Sequence, residues 1–199
     1  MAVSAVVFDF GYTLFDEDPR FTAVARDAGI PAPEFFAVLG AVIERRQDHR
    51  LVFEAFGIDP ADAPPLDPTD FYDDAAPCVR SVRRQGRLVG IAGNTSTQIE
   101  GFLDGHVDVD FIESSEGWGV SKPDPEFFAR VVDACGCPAD EVLYVGDRID
   151  KDIVPAAAAG MQTFWVTRGP WAAVHAGWPE ASSVRASGSD LGSIVSGAL

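Results

Sequence analysis

The chain has 199 residues, 47% hydrophobic and 23% charged, which is enough for one well-packed core and ordinary for a folded protein. Its 31 acidic residues against 15 basic ones give a formal net charge of -16; nucleic acid and anionic membrane are excluded as general surface partners, because a phosphate backbone needs a basic patch. No apolar run approaches the roughly 20 residues of a membrane-spanning helix, and the chain enters its first apolar run without a charged leader, so a cytoplasmic protein is expected.

The first predicted element is a strand over 5–8, Ala5-Val6-Val7-Phe8, whose β-branched and aromatic run suits a buried strand of a parallel sheet. Asp9 closes it, at the end where a parallel sheet places its chemistry. Gly11 allows a sharp turn that brings a carbonyl close to a ligand, and Thr13 adds a hydroxyl. Residues 16–74 show no strand pattern. Helical periodicity runs over about 21–50, split at Gly29-Ile30-Pro31-Ala32-Pro33. The second piece, over about 33–46, sets Phe35, Phe36, Val38, Leu39, Val42 and Ile43 on one broad side. A third helix is expected over 51–56, ending at Gly57, and Pro60, Pro64, Pro65 and Pro68 mark 58–68 as a loop. Residues 16–74 thus read as a small helical module inserted between 1–15 and 75–199.

From residue 75 the elements alternate. Helices are predicted over 75–85, 97–103, 124–135 and 153–159, and strands over 88–92, 109–112, 141–145 and 162–166. A last strand near Val184 and a helix over 191–195 follow. This alternation predicts an α/β fold, a doubly wound parallel sheet. Strand ends then bring Asp9, the Asn94-Thr95-Ser96 run and Asp147 with Asp152 to one edge, with Lys122 on the loop after the third strand. Carboxylates converge in this way where a cation or proton offsets their repulsion. Oxygen ligands with room for a substrate suit Mg2+, and Lys122 would neutralise both Asp9 and a bound anion. Cys78, Cys135 and Cys137 lack a C-x-x-C spacing and read as free thiols. His49, His106 and His175 show no ligand spacing and are expected at surface or loop positions. Trp165 is expected in the core.

The order strand-Asp-x-x-x-Thr-Leu, helical insert, strand-x-Asn, Lys-Pro-Asp-Pro, strand-Gly-Asp-x-x-x-x-Asp resembles the haloacid dehalogenase-like (HAD) hydrolases, from Ser4 to about Val166. The strings Gly90-Ile91-Ala92-Gly93-Asn94 and Tyr144-Val145-Gly146-Asp147-Arg148 are similar to those of a bacterial subset with a small helical cap. The resemblance implies a Rossmann-like core, with 16–74 as the cap. It implies that Asp9 is a nucleophile that takes up a phosphoryl group. Mg2+ would be held by Asp9, the Gly11 carbonyl and Asp147, with Asp152 as the outer acid of the metal site. Lys122 would hold the nucleophile and the phosphoryl oxygens, and Asn94 would be the polar residue after the second strand. Such a protein would be a slow phosphatase of small phosphate esters. A cap this short would leave the site partly open or be completed by a homodimer partner.

Two positions depart from the family's phosphatase pattern. Gly11 stands where a second Asp protonates the leaving group, and Gly93 stands where a hydroxyl meets the phosphate. Losing a general acid costs about 10²–10⁴-fold. Tyr12, Asp16, Glu17 and Glu116 are all available as substitutes, and the sequence does not choose among them. A non-catalytic phosphate-binding protein and a metal-independent 2-haloacid dehalogenase remain as alternative readings.

Overall fold

The computed structural model describes residues 2–195. Strand β1 (Ala5–Phe8) is buried along its whole length, so both of its faces need cover. After it come three helices, α1 (Asp18–Asp27), α2 (Ala32–Glu44) and α3 (Leu51–Phe56). The alternating part then runs through α4 (Ala75–Arg84), β2 (Leu88–Gly93), α5 (Thr97–Asp104), β3 (Phe111–Ser114), α6 (Ser115–Trp118), α7 (Pro125–Cys135), β4 (Val142–Gly146), α8 (Val154–Ala158), β5 (Gln162–Val166), α9 (Gly169–His175) and β6 (Ser187–Gly188).

The strands form one six-stranded sheet in the order β3-β2-β1-β4-β5-β6, parallel throughout. The expected doubly wound α/β sheet is therefore present. The chain builds outward from β1 in both directions, so a crevice opens at the carboxyl ends of β1 and its neighbours. Phe8 is paired with Ile91 on one side and Val145 on the other. The residues that follow these three strands therefore emerge side by side.

Alternation along β1 splits the core. Val6 and Phe8 join Cys78, Val79 and Val82 of α4 and Leu103 of α5 on one face. Ala5 and Val7 join Phe127, Phe128 and Val131 of α7 on the other. Helices α1–α3 have a core of their own, built on Phe21, Phe35, Leu39 and Phe53 and seated on Tyr12 and Trp171. The chain leaves for this segment and returns from it as neighbouring extended stretches: Asp16 N donates to Asp70 O at 2.8 Å, and Tyr72 N donates to Leu14 O at 3.0 Å.

Several local expectations shift. β3 starts two residues later than 109 and runs into Glu113 and Ser114, because pairing with Ala92 and Gly93 extends an edge strand past its apolar run. The last strand forms at Ser187–Gly188 rather than near Val184. The loop over 58–68 holds a short 3-10 turn, Pro60–Asp62, and a second, Pro68–Asp70, starts at its end; each is opened by an Asp that accepts from the backbone two residues on. Helix α9 follows β5 with Pro170 in its first turn, where a proline's missing N–H has no partner to lose. His175 is not at the surface but fully buried, since α9 turns it inward to accept from Ile149 N at 3.1 Å.

Candidate active site

Asp9 continues the ladder past β1, its N–H donating to Val145 O at 2.8 Å, so its backbone belongs to the sheet. The turn after it is tight: Leu14 N returns to Phe10 O at 2.9 Å. Beyond β4, the stretch Ile149–Ile153 is a π-helical turn, with Ile153 N donating to Arg148 O at 3.1 Å. Such wide turns recur at functional sites, and this one carries Asp152 back over the end of β4.

Three carboxylates meet here. One oxygen from each of Asp9, Asp147 and Asp152 lies within 4.8 Å of the others, and all three residues are buried. Lys122 enters from the loop before α7. Its Nζ donates to Asp9 Oδ1 at 2.7 Å and to Asp152 Oδ1 at 2.5 Å. Asp152 Oδ2 accepts from Arg148 N at 2.9 Å. Asp147 Oδ2 is buried with no hydrogen-bond partner among the described residues.

The electrostatics follow from this arrangement. Burial works against the Lys122 ammonium, but Asp152 and Asp9 outweigh it and hold the group well above the usual lysine range. Burial, then repulsion from Asp152 and Asp9, pushes Asp147 well above the usual carboxylate range. Asp152 is raised to about 6, by burial first, with Lys122 opposing. With all three carboxyls ionised, one ammonium would leave two negative charges to be offset at this spot, which is why Asp147 holds its proton when no cation is near. An all-oxygen site with an unpartnered buried carboxylate oxygen and that charge deficit fits a hard divalent cation.

Asn94 does not reach into this cluster. Its Oδ1 accepts from Lys122 N at 2.7 Å and its Nδ2 donates to Lys122 O at 2.9 Å, so it clamps the backbone that carries the amine. Thr13 is fully buried, and its hydroxyl has no partner among the described residues. A Cβ on Gly93 would lie 2.5 Å from Asp9 Oδ1, so a serine or threonine there would displace the carboxylate as it stands. A Cβ on Gly11 would lie 2.5 Å from Glu17 Oε2. Burial, with help from Asp9, raises the Glu17 carboxyl to about 7 against the pull of Arg20.

Sequence reasoning missed two supports. Tyr144 lies under Lys122, its ring 5.6 Å from Nζ, and its hydroxyl donates to Ala92 O at 2.7 Å. An aromatic inside an apolar strand looks like core, and only the period-2 alternation marks which face it takes. His175 supports the turn after Asp147 through Ile149 N; no spacing rule connects residues so far apart. Arg148 points away from the cluster, paired with Asp150 at 2.8 Å and lying over Trp171.

Residues 3–160 match the family model of the haloacid dehalogenase-like hydrolases. A "Phosphatase MT3486" from Mycobacterium tuberculosis is 31% identical over 84% of this chain and 89% of its own length. A "Glyceraldehyde 3-phosphate phosphatase" from Methanocaldococcus jannaschii is 42% identical over 33% of this chain and 29% of its own. Most of the curated relatives it matches align over less than half of their own length. Among solved structures, the L-2-haloacid dehalogenase RSc1362 superposes with a TM-score of 0.73 at 21% identity, covering 98% of each chain; at that identity the likeness speaks for the fold alone. The chain belongs to the haloacid dehalogenase-like hydrolases.

Proposed function

We propose that this hydrolase is a Mg2+-dependent phosphatase of small phosphate monoesters that works through an aspartyl-phosphate on Asp9. The observation that carries the reading is the unpartnered, buried Asp147 Oδ2 beside Asp9 and the Lys122 ammonium. A dehalogenase needs no cation, whereas three clustered carboxyls with one ammonium can all ionise only if a cation joins them. The relatives named as phosphatases support the same choice.

Asp9, Asp147 and the Gly11 carbonyl would hold the ion, which when bound offsets charge on the phosphoryl oxygens. Both oxygens of Asp152 are already engaged, by Lys122 and Arg148 N, which suits an outer role that fixes the amine. Asp9 Oδ attacks phosphorus in line with the leaving oxygen. Lys122 stays with the equatorial oxygens, where charge spreads in the transition state. Asn94 holds Lys122 in register. Residues 16–74, with α1–α3, serve as the cap that shields the reaction from water.

Turnover of 4-nitrophenyl phosphate with and without Mg2+, in wild type and Asp9→Asn, tests this. We expect Mg2+-dependent hydrolysis in wild type and a loss of about a thousand-fold or more in the variant. Equal activity in both would remove Asp9 as nucleophile. Halide release from 2-chloropropionate without Mg2+ would establish the dehalogenase instead.

A further inference from the structure

Splitting a phosphate monoester of an alcohol needs a proton for the departing oxygen, and in the proposed reaction Asp9 is taken up as nucleophile and Asp147 as a ligand of the ion. Asp152 is bonded at both oxygens. Lys122 donates to two carboxylates. Around the mouth of the site, most other candidates are also engaged. Tyr12 donates its hydroxyl to Asp18 at 2.8 Å. Asp16 accepts from Asp18 N at 3.0 Å. Glu116 accepts from Thr97 N and Thr97 Oγ1.

Glu17 differs from all of these. It stands at the position that opens α1, yet its side chain does not cap the helix. The chain turns back instead, so that Oε2 lies where a side chain on Gly11 would begin, 2.5 Å from the Cβ that glycine lacks. Among the described residues its carboxyl makes no hydrogen bond or ion pair, and it is only partly covered. The bare backbone at Gly11 and the free carboxyl from α1 are complementary in shape: the space kept empty by one is filled by the other.

We infer that Glu17, brought in from the first helix of the inserted segment, is the proton donor and acceptor of the reaction. This rests on the phosphatase reading above. In the first step Asp9 Oδ forms a bond to phosphorus, the bond from phosphorus to the ester oxygen breaks, and that oxygen takes the Glu17 proton and leaves as an alcohol. In the second step the Glu17 carboxylate takes a proton from water as the water oxygen bonds to phosphorus. The bond from phosphorus to Asp9 breaks, and hydrogen phosphate, the Asp9 carboxylate and protonated Glu17 remain. Because the donor sits on the inserted segment, the second function of that segment is to complete the catalytic set.

Leaving-group dependence tests it. A nitrophenolate leaves with little help, whereas an alkoxide needs a full proton. For Glu17→Gln we expect kcat/KM on an alkyl phosphate to fall about 100-fold more than on 4-nitrophenyl phosphate. In Glu17→Ala with Gly11→Asp, a new carboxyl enters the vacated space, and at least ten-fold recovery over Glu17→Ala alone on the alkyl ester is expected. A loss in equal proportion on both esters, or no recovery in the double variant, overturns the role of Glu17. Asp9→Asn is run beside them. If it is inactive while Glu17→Gln keeps the wild-type ratio, Glu17 is wrong and the phosphatase reading stands; if wild type hydrolyses neither ester, the phosphatase reading falls and the role of Glu17 with it.

Discussion

Lys122 Nζ donates to Asp9 Oδ1 at 2.7 Å, with the lysine side chain only 3% exposed and the aspartate 12%. A buried ammonium of this kind is a structural counter-charge, whatever its part in the proposed reaction. Replacing it with Met should leave Asp9 and Asp152 as unpaired buried acids and cost about 3–5 kcal/mol of stability. Urea unfolding at pH 7.5 would measure that. Mg2+ should return part of the loss by binding only the folded form. An unchanged midpoint would mean that the acids find other compensation.

Asn94 carries two hydrogen bonds to the backbone of Lys122 and no bond to the carboxylates. Asn94→Ala should lower stability by about 1–2 kcal/mol. It should also lower kcat/KM by roughly ten-fold, because a small displacement of Lys122 is felt at the reacting centre. Asn94→Asp keeps the acceptor but loses the donor, so its effect should be intermediate. Steady-state kinetics and thermal melts on the two variants would check the order.

Asp147 should respond with opposite signs to the absence and presence of metal. Its charge is disfavoured by burial and by Asp152 and Asp9. In metal-free buffer at pH 8, Asp147→Asn should therefore raise stability by about 1–2 kcal/mol. The same variant should lose the Mg2+-dependent rise in melting temperature expected of wild type. Wild-type melts that do not move with added Mg2+ would refute a cation at this position.

His175 gives a pH-dependence whose sign is set by its burial. Burial, joined by Arg148 and Arg46 against the pull of Asp150, lowers its folded value to about 4. The unfolded value is about 6.5. Above that both states are neutral and the residue contributes no slope. Between the two values the unfolded chain binds a proton that the native chain refuses. Stability therefore falls as the pH drops, by up to about 3 kcal/mol at pH 4. His175→Asn keeps an acceptor for Ile149 N and removes the titration, so the stability difference between wild type and variant should shrink toward acid pH. Urea midpoints at pH 7.5 and 4.5 would show whether it does.

The site was partly legible because its members sit at strand ends. A run such as Ala5 to Phe8 has no polar side chain and satisfies its backbone within a sheet, so its end is predictable, and Asp9 with it. Val142–Gly146 gives Asp147 in the same way. Asn94 was found by position, but its partners were not: a hydrogen bond to a backbone 28 residues away leaves no mark on local pattern. His175 was misplaced for the same reason, its partner being 26 residues away.

Local chemistry alone, read from the order of residues, determined the alternating fold, the apolar strands and the identities of the four charged groups at the sheet edge, because side-chain period and strand ends are short-range properties. Tertiary structure alone decided which acid fills the space over Gly11, why Gly93 has no side chain, and which carboxylate oxygen is left unpartnered. Those are matters of distance between segments far apart in the chain, and they exist only once packing has brought the segments together.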